Sequence, residues 1–280
     1  PLVLGQLNDS YVVCSETCSL DTVGAKFIRE VAPGEIIVID DKGMRSVGKI
    51  RSPKKAFCLF EYVYLARPDS IFDKQLVHQV RQRSGEILAH ESPVGADMVV
   101  AVPDSGTSAA IGYSKASGIP YGEVLIKNRY IGRTFIQPEQ NIREMGVRIK
   151  FNPLKEIVRD KRIIIVDDSI VRGTTIKKIV KMLKNCGAKK IHIRVCSPPV
   201  TDPCYFGIDT PDKKQLIASH MSVKEIKKFI GADSLAYLSL EGLKKASRIK
   251  SNKLCDSCFT GKYPMPVKGG FRKDVFETIS

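Results

Sequence analysis

Ile163-Ile164-Ile165-Val166-Asp167-Asp168-Ser169-Ile170-Val171-Arg172-Gly173-Thr174-Thr175 is the stretch on which the reading of this chain turns. Its apolar opening has the composition of a strand buried on both faces. Two adjacent carboxylates at the end of such a strand can hold a pair of vicinal hydroxyls or a hard cation such as Mg²⁺. Gly173 and the two threonines then open a helix, whose first amides and positive dipole end suit a phosphate. Carboxylates for a sugar diol beside amides for a phosphate together describe a ribose 5-phosphate cradle. The plainer alternative makes Asp167 a strand-end acid and Asp168 or Ser169 a helix cap. The placing of Gly and Thr within the same short run favours the cradle.

Downstream, residues 175–185 have helical spacing, with Ile176, Ile179, Val180 and Leu183 on one face. Gly187 is placed to end that helix. Ile191, Ile193 and Val195 alternate with His192, Arg194 and Cys196 in a further strand. Upstream, the apolar run 98–102 ends in Pro103-Asp104-Ser105-Gly106 and is followed by a helix-like segment, 108–115. Residues 73–89 also have helical spacing, and 123–126 read as a strand. Apolar strands joined by helices predict an α/β fold with a mainly parallel sheet flanked by helices. Sites in such sheets lie beyond the carboxyl ends of the strands, where the loops after Val102 and Val166 both fall. The first fifty residues are β-like instead: Tyr11-Val12-Val13, then Gly34 to Ile39 before the turn Asp40-Asp41-Lys42-Gly43, with a short helix expected over 21–29. Arg51-Ser52-Pro53-Lys54-Lys55 marks a boundary.

The chain has 280 residues, 43% of them hydrophobic, which is enough for a substantial core. No run approaches the ~18 apolar residues of a membrane span. No basic start followed by an apolar stretch marks a secretory signal. The net charge of +15 raises the question of nucleic acid. The charge is dispersed, however. Lys177, Lys178, Lys181 and Lys184 form the solvated face of one helix, and Lys189-Lys190, Lys213-Lys214 and Lys244-Lys245 are short pairs. Without a zinc-finger spacing or an aromatic RNA-binding signature, a basic surface around an anionic-substrate site is the better account. Eight cysteines in a chain of this length, without an export signal, point to a cytoplasmic setting rather than a disulfide scaffold.

The 163–175 stretch resembles the phosphoribosyl pyrophosphate (PRPP) motif of type I phosphoribosyltransferases. Other segments carry a wider likeness: Cys58-Leu59-Phe60-Glu61-Tyr62 through Ala66-Arg67-Pro68-Asp69-Ser70; Val102-Pro103-Asp104-Ser105; Lys127-Asn128-Arg129-Tyr130-Ile131-Gly132-Arg133-Thr134-Phe135-Ile136-Gln137-Pro138; and Cys258-Phe259-Thr260-Gly261-Lys262-Tyr263-Pro264. Over nearly its whole length the chain is similar to the amidophosphoribosyltransferase family, which catalyses the first step of purine synthesis. The resemblance implies a type I phosphoribosyltransferase fold over residues 51–248. Residues 1–50 would be the C-terminal part of an N-terminal-nucleophile glutaminase domain, and 249–280 a tail carrying cluster ligands. Ser105, Asp167 and Asp168 would surround Mg²⁺ and the ribose, with the loop Ser169, Val171, Arg172, Gly173 and Thr174 on the 5-phosphate. The 127–138 segment would be a hood that closes over PRPP, with Lys127, Arg129 and Arg133 near the pyrophosphate and Lys127 and Arg133 as catalytic residues. Ammonia would displace pyrophosphate at C1, with no acidic general base, in a homo-oligomeric enzyme of the cytoplasm.

Cys255-Asp256-Ser257-Cys258 alone fits a zinc knuckle, a redox pair or neither. By the resemblance, some members bind a 4Fe–4S cluster through four cysteines matching Cys58, Cys204 in Pro203-Cys204-Tyr205, Cys255 and Cys258. Four thiolates suit iron–sulfur or tetrahedral zinc, and spacing does not choose between them. Such a cluster, tying the C-terminal tail to the start of the domain, is expected to be structural, since nothing places it beside the PRPP loop. Cys14, Cys18, Cys186 and Cys196 read as packing residues. The family's glutaminase attacks with a cysteine at the first position of the mature chain, where this sequence has Pro1; use of free ammonia rather than glutamine is therefore expected. The competing readings are a salvage or pyrimidine phosphoribosyltransferase, disfavoured by the hood and the four cysteines, and a non-enzymatic PRPP- or nucleotide-binding regulator on the same fold.

Overall fold

The computed structural model describes residues 1–51, 55–128, 151–210 and 212–267. In the first fifty residues, β1 (Val3–Leu7) pairs antiparallel with both β2 (Ser10–Cys14) and β3 (Lys26–Glu30), and α1 (Thr17–Val23) connects the outer two. The expected helix over 21–29 is thus displaced. It starts at Thr17 and stops at Gly24, whose left-handed backbone (φ 73°) turns the chain into β3. A hairpin of β4 (Glu35–Asp40) and β5 (Gly43–Lys49) follows. Glu16 fastens this part to what comes next: its Oε2 accepts from the Arg67 amide (2.8 Å) and from Ser70 Oγ (2.6 Å).

After β6 (Phe57–Cys58), the short pair β7 (Ile71–Phe72) and β8 (Gln75–Leu76) turns through Asp73 and Lys74, both at positive φ. That turn delays α2 to Val77–Glu91, four residues later than the periodicity suggests. The elements that follow are β9 (Met98–Ala101), α3 (Thr107–Ser117), β10 (Leu125–Lys127), β11 (Phe151–Pro153), α4 (Lys155–Val158), β12 (Arg162–Asp167), α5 (Thr174–Asn185) and β13 (Lys190–Val195). The chain then forms α6 (Val223–Ile230), β14 (Ser234–Tyr237), α7 (Leu240–Ser247), β15 (Leu254–Cys255) and α8 (Ser257–Thr260).

The strands β14, β13, β12 and β9 lie in that order in one all-parallel sheet. In β12 every residue after Arg162 is buried, as a strand covered on both faces must be. Ile164 and Val166 join Val99 and Ala101 in a core beneath α2, α3 and α7. Ile163 and Ile165 face the other way, with Val100, Ile191, Ile193 and Val195, toward α5 and α6. Each such aliphatic side chain contributes about 1.5–3 kcal/mol on burial, so the strand is anchored from both sides and its carboxyl end is held still. α5 shows the amphipathic pattern read from sequence: Ile176, Ile179, Val180 and Leu183 are buried, whereas Lys177, Lys181 and Lys184 are exposed. A capping box fixes the start of α6, where the Ser222 side chain accepts from the Glu225 amide and the Glu225 carboxylate accepts from the Ser222 amide. The carboxylate of Glu91, at the end of α2, accepts from Ser239 N (2.9 Å) and Ser239 Oγ (2.6 Å) and so seats the start of α7.

A candidate phosphoribosyl site at the end of the parallel sheet

The loop that leaves β12 runs Asp168 to Gly173 and enters α5 at Thr174. Gly173 stands at φ 74°, a left-handed conformation that costs an L side chain about 1–2 kcal/mol. A Cβ there would also lie 2.9 Å from the tip of Ile217, a side chain that can give way, so it is the backbone conformation that favours glycine. The segment around Ile217 braces the loop from outside. The Ile217 amide donates to Val171 O (2.9 Å), and Arg172 donates through Nε and Nη2 to Gln215 Oε1 (3.0 and 2.8 Å). Among the described residues the backbone amides from Ser169 to Thr175 meet no protein acceptor. They form, at a helix N-terminus, the donor set that a phosphate requires.

Asp167 and Asp168 are both buried, at 8% and 7% exposure. The Asp168 amide donates to Asp167 Oδ1 (3.0 Å) and Ser169 Oγ to Asp168 Oδ1 (2.5 Å). Burial pushes the Asp167 carboxyl well above the usual carboxylate range, and the charge of Asp168 adds to the push. Burial raises Asp168 too, against hydrogen bonds from Ser105 and Ser169 and the nearby Arg81 guanidinium. Two carboxyls held in this state favour a cation or a hydroxyl pair that restores the solvation they have lost.

Ser105 lies in the neighbouring loop after β9, which Gly106 brings close: a Cβ on Gly106 would stand 2.6 Å from Val166 O. The two loops share a cavity of about 520 Å³, lined by Ser105, the acid pair and residues 169–176. Its outer wall comes from Phe60, Tyr64 and Leu65 on one side and from Gly207 to Thr210 on the other. Lys127 ends β10 and is ion-paired with Asp104, at the edge of a second cavity of about 650 Å³. Arg129 and Arg133 lie outside the described residues, as does most of the 127–138 segment.

The cysteines occupy one neighbourhood. β15 pairs parallel with β6, placing Cys255 opposite Cys58. The carbonyl of Cys258 accepts from the amides of Thr201 and Asp202 (2.9 and 3.1 Å), which brings α8 to the segment holding Cys204. Burial pushes the Cys58 thiol up to about 12. Burial also raises the Cys258 thiol, with Cys58, Cys255 and Cys204 each adding to the effect. A set of soft thiols fits an iron–sulfur cluster or zinc by its chemistry. Among the described residues no three His, Cys, Asp or Glu side chains stand in a metal-holding arrangement, so the four thiols are neighbours rather than a preformed cage. Phe60, two residues after Cys58, and Gly207, three residues after Cys204, line the central cavity, whereas none of the four cysteines does. Cys18, Cys186 and Cys196 are buried and Cys14 is partly buried.

Several residues of the site escaped the sequence reading. Arg81 is 5% exposed within α2 and donates to Tyr62 O (2.7 Å) and Ala66 O (2.8 Å), tying down the Glu61–Leu65 turn that carries Tyr64 and Leu65. Gln215 and the 207–210 wall come from a part of the chain with no apolar periodicity.

A sheet-end loop that pairs buried acids with free helix-start amides is matched by one further observation: the model of the phosphoribosyl transferase domain fits residues 69–201. This chain contains a phosphoribosyl transferase domain. An amidophosphoribosyltransferase of Archaeoglobus fulgidus is 53% identical over 271 residues, 96% of this chain and 59% of that relative. The amidophosphoribosyltransferase of Bacillus subtilis is 51% identical over 95% of this chain and 57% of its own length. A solved structure of the glutamine PRPP amidotransferase from B. subtilis, complexed with ADP and GMP, superposes with a TM-score of 0.88, covering 96% of this chain and 60% of that one. The chain therefore spans under two thirds of the relatives it matches. The domain has the predicted parallel sheet flanked by helices, and among the described residues no helix is long and apolar enough to cross a membrane.

Proposed function

We propose that this chain carries out the phosphoribosyl-transfer half of an amidophosphoribosyltransferase, the first committed step of purine synthesis. PRPP and ammonia give 5-phosphoribosylamine and pyrophosphate. The observation that carries the reading is the buried Asp167–Asp168 pair beside the free amides of 169–175, in a chain about half identical to amidophosphoribosyltransferases over nearly its whole length.

In this reading the amides of Ser169 to Thr174 hold the 5-phosphate and fix C1 at the mouth of the cavity. Asp167 and Asp168 take the ribose hydroxyls and, with Ser105, face the metal side. Mg²⁺, when bound, supplies charge neutralisation on the departing pyrophosphate. Lys127, which lines the neighbouring cavity beside Asp104, would take the pyrophosphate in this reading, and so would Arg129 and Arg133. The C1–O bond breaks with its electron pair leaving on pyrophosphate. Ammonia's lone pair forms the C1–N bond, and the surplus proton passes to solvent. Phe60, Tyr64 and Leu65 line one wall of the cavity, and keeping water from C1 matters because water would give ribose 5-phosphate instead.

Cys58, Cys204, Cys255 and Cys258 hold a 4Fe–4S cluster in this proposal, supported by the pairing of Cys255 with Cys58 and by a ligand set of thiols alone. Residues 1–50 belong to a glutamine amidotransferase domain, and a cytoplasmic assembly of several copies completes the reading. Phosphorus NMR tests the chemistry. Pyrophosphate should appear from PRPP only when ammonium, Mg²⁺ and protein are all present. PRPP that binds and is never consumed would refute the enzymatic reading.

A further inference from the structure

Asp168 is supported by Ser105, Ser169 and Arg81, whereas Asp167 has one hydrogen-bond donor among the described residues, the amide of its own neighbour. Asp167 lies in register with Val195, and Val195 in register with Tyr237, across three adjacent parallel strands. Residues in register in parallel strands share a face, and two inter-strand steps put the outer pair roughly 10 Å apart at Cα. Val195 and Tyr237 both pack into the core that α5 and α6 cover, the side toward which β12 alternation also directs Asp167. A tyrosine side chain spans most of that gap. Its hydroxyl is the one buried side-chain oxygen or nitrogen without a hydrogen-bond partner among the described residues. Burial raises its phenol, and the charge of Asp167 raises it further, so the two groups feel each other. A buried donor lacking an acceptor is costly, and so is a buried carboxylate short of donors.

We propose that the Tyr237 hydroxyl is a positioning donor for Asp167, holding that carboxylate in place when ligand binds. The bond is directed from behind the strand, since Tyr237 does not line the cavity itself. The inference rests on the reading of residues 163–175 as a PRPP site.

Calorimetric titration of PRPP in the presence of Mg²⁺ tests it, on the 280-residue chain and on Tyr237→Phe, Asp167→Ala and the double variant. Tyr237→Phe keeps the ring and so the packing. It should weaken PRPP binding about three- to tenfold, while the melting temperature of the ligand-free protein stays level or rises. In the Asp167→Ala background the same change should alter affinity less than about twofold. Unchanged affinity in Tyr237→Phe, alongside a clear loss in Asp167→Ala, would overturn this inference and leave the site reading intact. Equal losses in both backgrounds, or a loss matched by a lowered melting temperature, would reduce Tyr237 to a packing residue and overturn it as well. Intact binding in Asp167→Ala would sink the reading of the acid pair and this inference with it.

Discussion

Cys255 stands opposite Cys58 in a two-strand parallel pair, so the end of the described chain is stitched to the strand that opens onto the cavity wall. Phe60, two residues after Cys58, lies on that cavity wall, and so does Gly207, three residues after Cys204. Replacing Cys204 with Ala should therefore do more than remove metal. Protein purified without oxygen should carry about four irons per chain, and the variant should lose them. PRPP affinity should fall along with the iron. Zinc at about one per chain in a colourless protein would favour the knuckle instead.

Asp167→Asn and Asp168→Asn each remove one negative charge from the centre of the site. Both should lower ammonia-dependent pyrophosphate release by about a hundredfold or more. Stability without ligand should hold or improve, because burial already disfavours the charged form of both groups. Melting curves and steady-state rates on the same preparations separate the two effects. Near-normal turnover in both variants would remove the pair from the mechanism.

The raised carboxyls also set a pH dependence with a definite sign. A folded-state pKa above the unfolded value means that the pair stabilises the ligand-free fold below about pH 4 and loses that contribution as pH rises through the folded value. Cation binding requires the ionised form. Affinity for PRPP with Mg²⁺ should therefore increase with pH, and binding should release protons. Calorimetry in buffers of different ionisation enthalpy counts those protons, and proton uptake would contradict the assignment.

Gly173→Ala places a side chain at φ 74° and 2.9 Å from Ile217 Cδ1. A stability loss of about 1–2 kcal/mol is expected from the backbone alone. The strained turn would also disturb the loop that Ile217 and Gln215 brace at Val171 and Arg172, which should weaken PRPP binding beyond what the stability change explains. Urea titration and calorimetry measure the two losses.

The central strand, its acids and the amphipathic α5 were legible in sequence because each has a local cause: an unbroken apolar run, a strand-end pair and a helical period. α6 is equally legible, through Ser222 and Glu225 in a capping box with Ile226 and Ile230 behind it. The early helix lies before the expected 21–29 because Gly24, inside that range, is its stop signal. Arg81, Gln215 and Tyr237 could not have been found this way. Their roles depend on which elements meet across the sheet, and nothing in the neighbouring residues records that. The same holds for the meeting of Cys255 with Cys58, which the pairing of β15 with β6 creates.

The most direct measurement is the initial rate of pyrophosphate release from PRPP, with Mg²⁺ and ammonium as the only other reactants, at alkaline pH where more ammonia is neutral. The account predicts saturable turnover that needs ammonium and is abolished in the Asp167→Asn, Asp168→Asn double variant. Pyrophosphate release at the same rate without ammonium, or in the double variant, would contradict it.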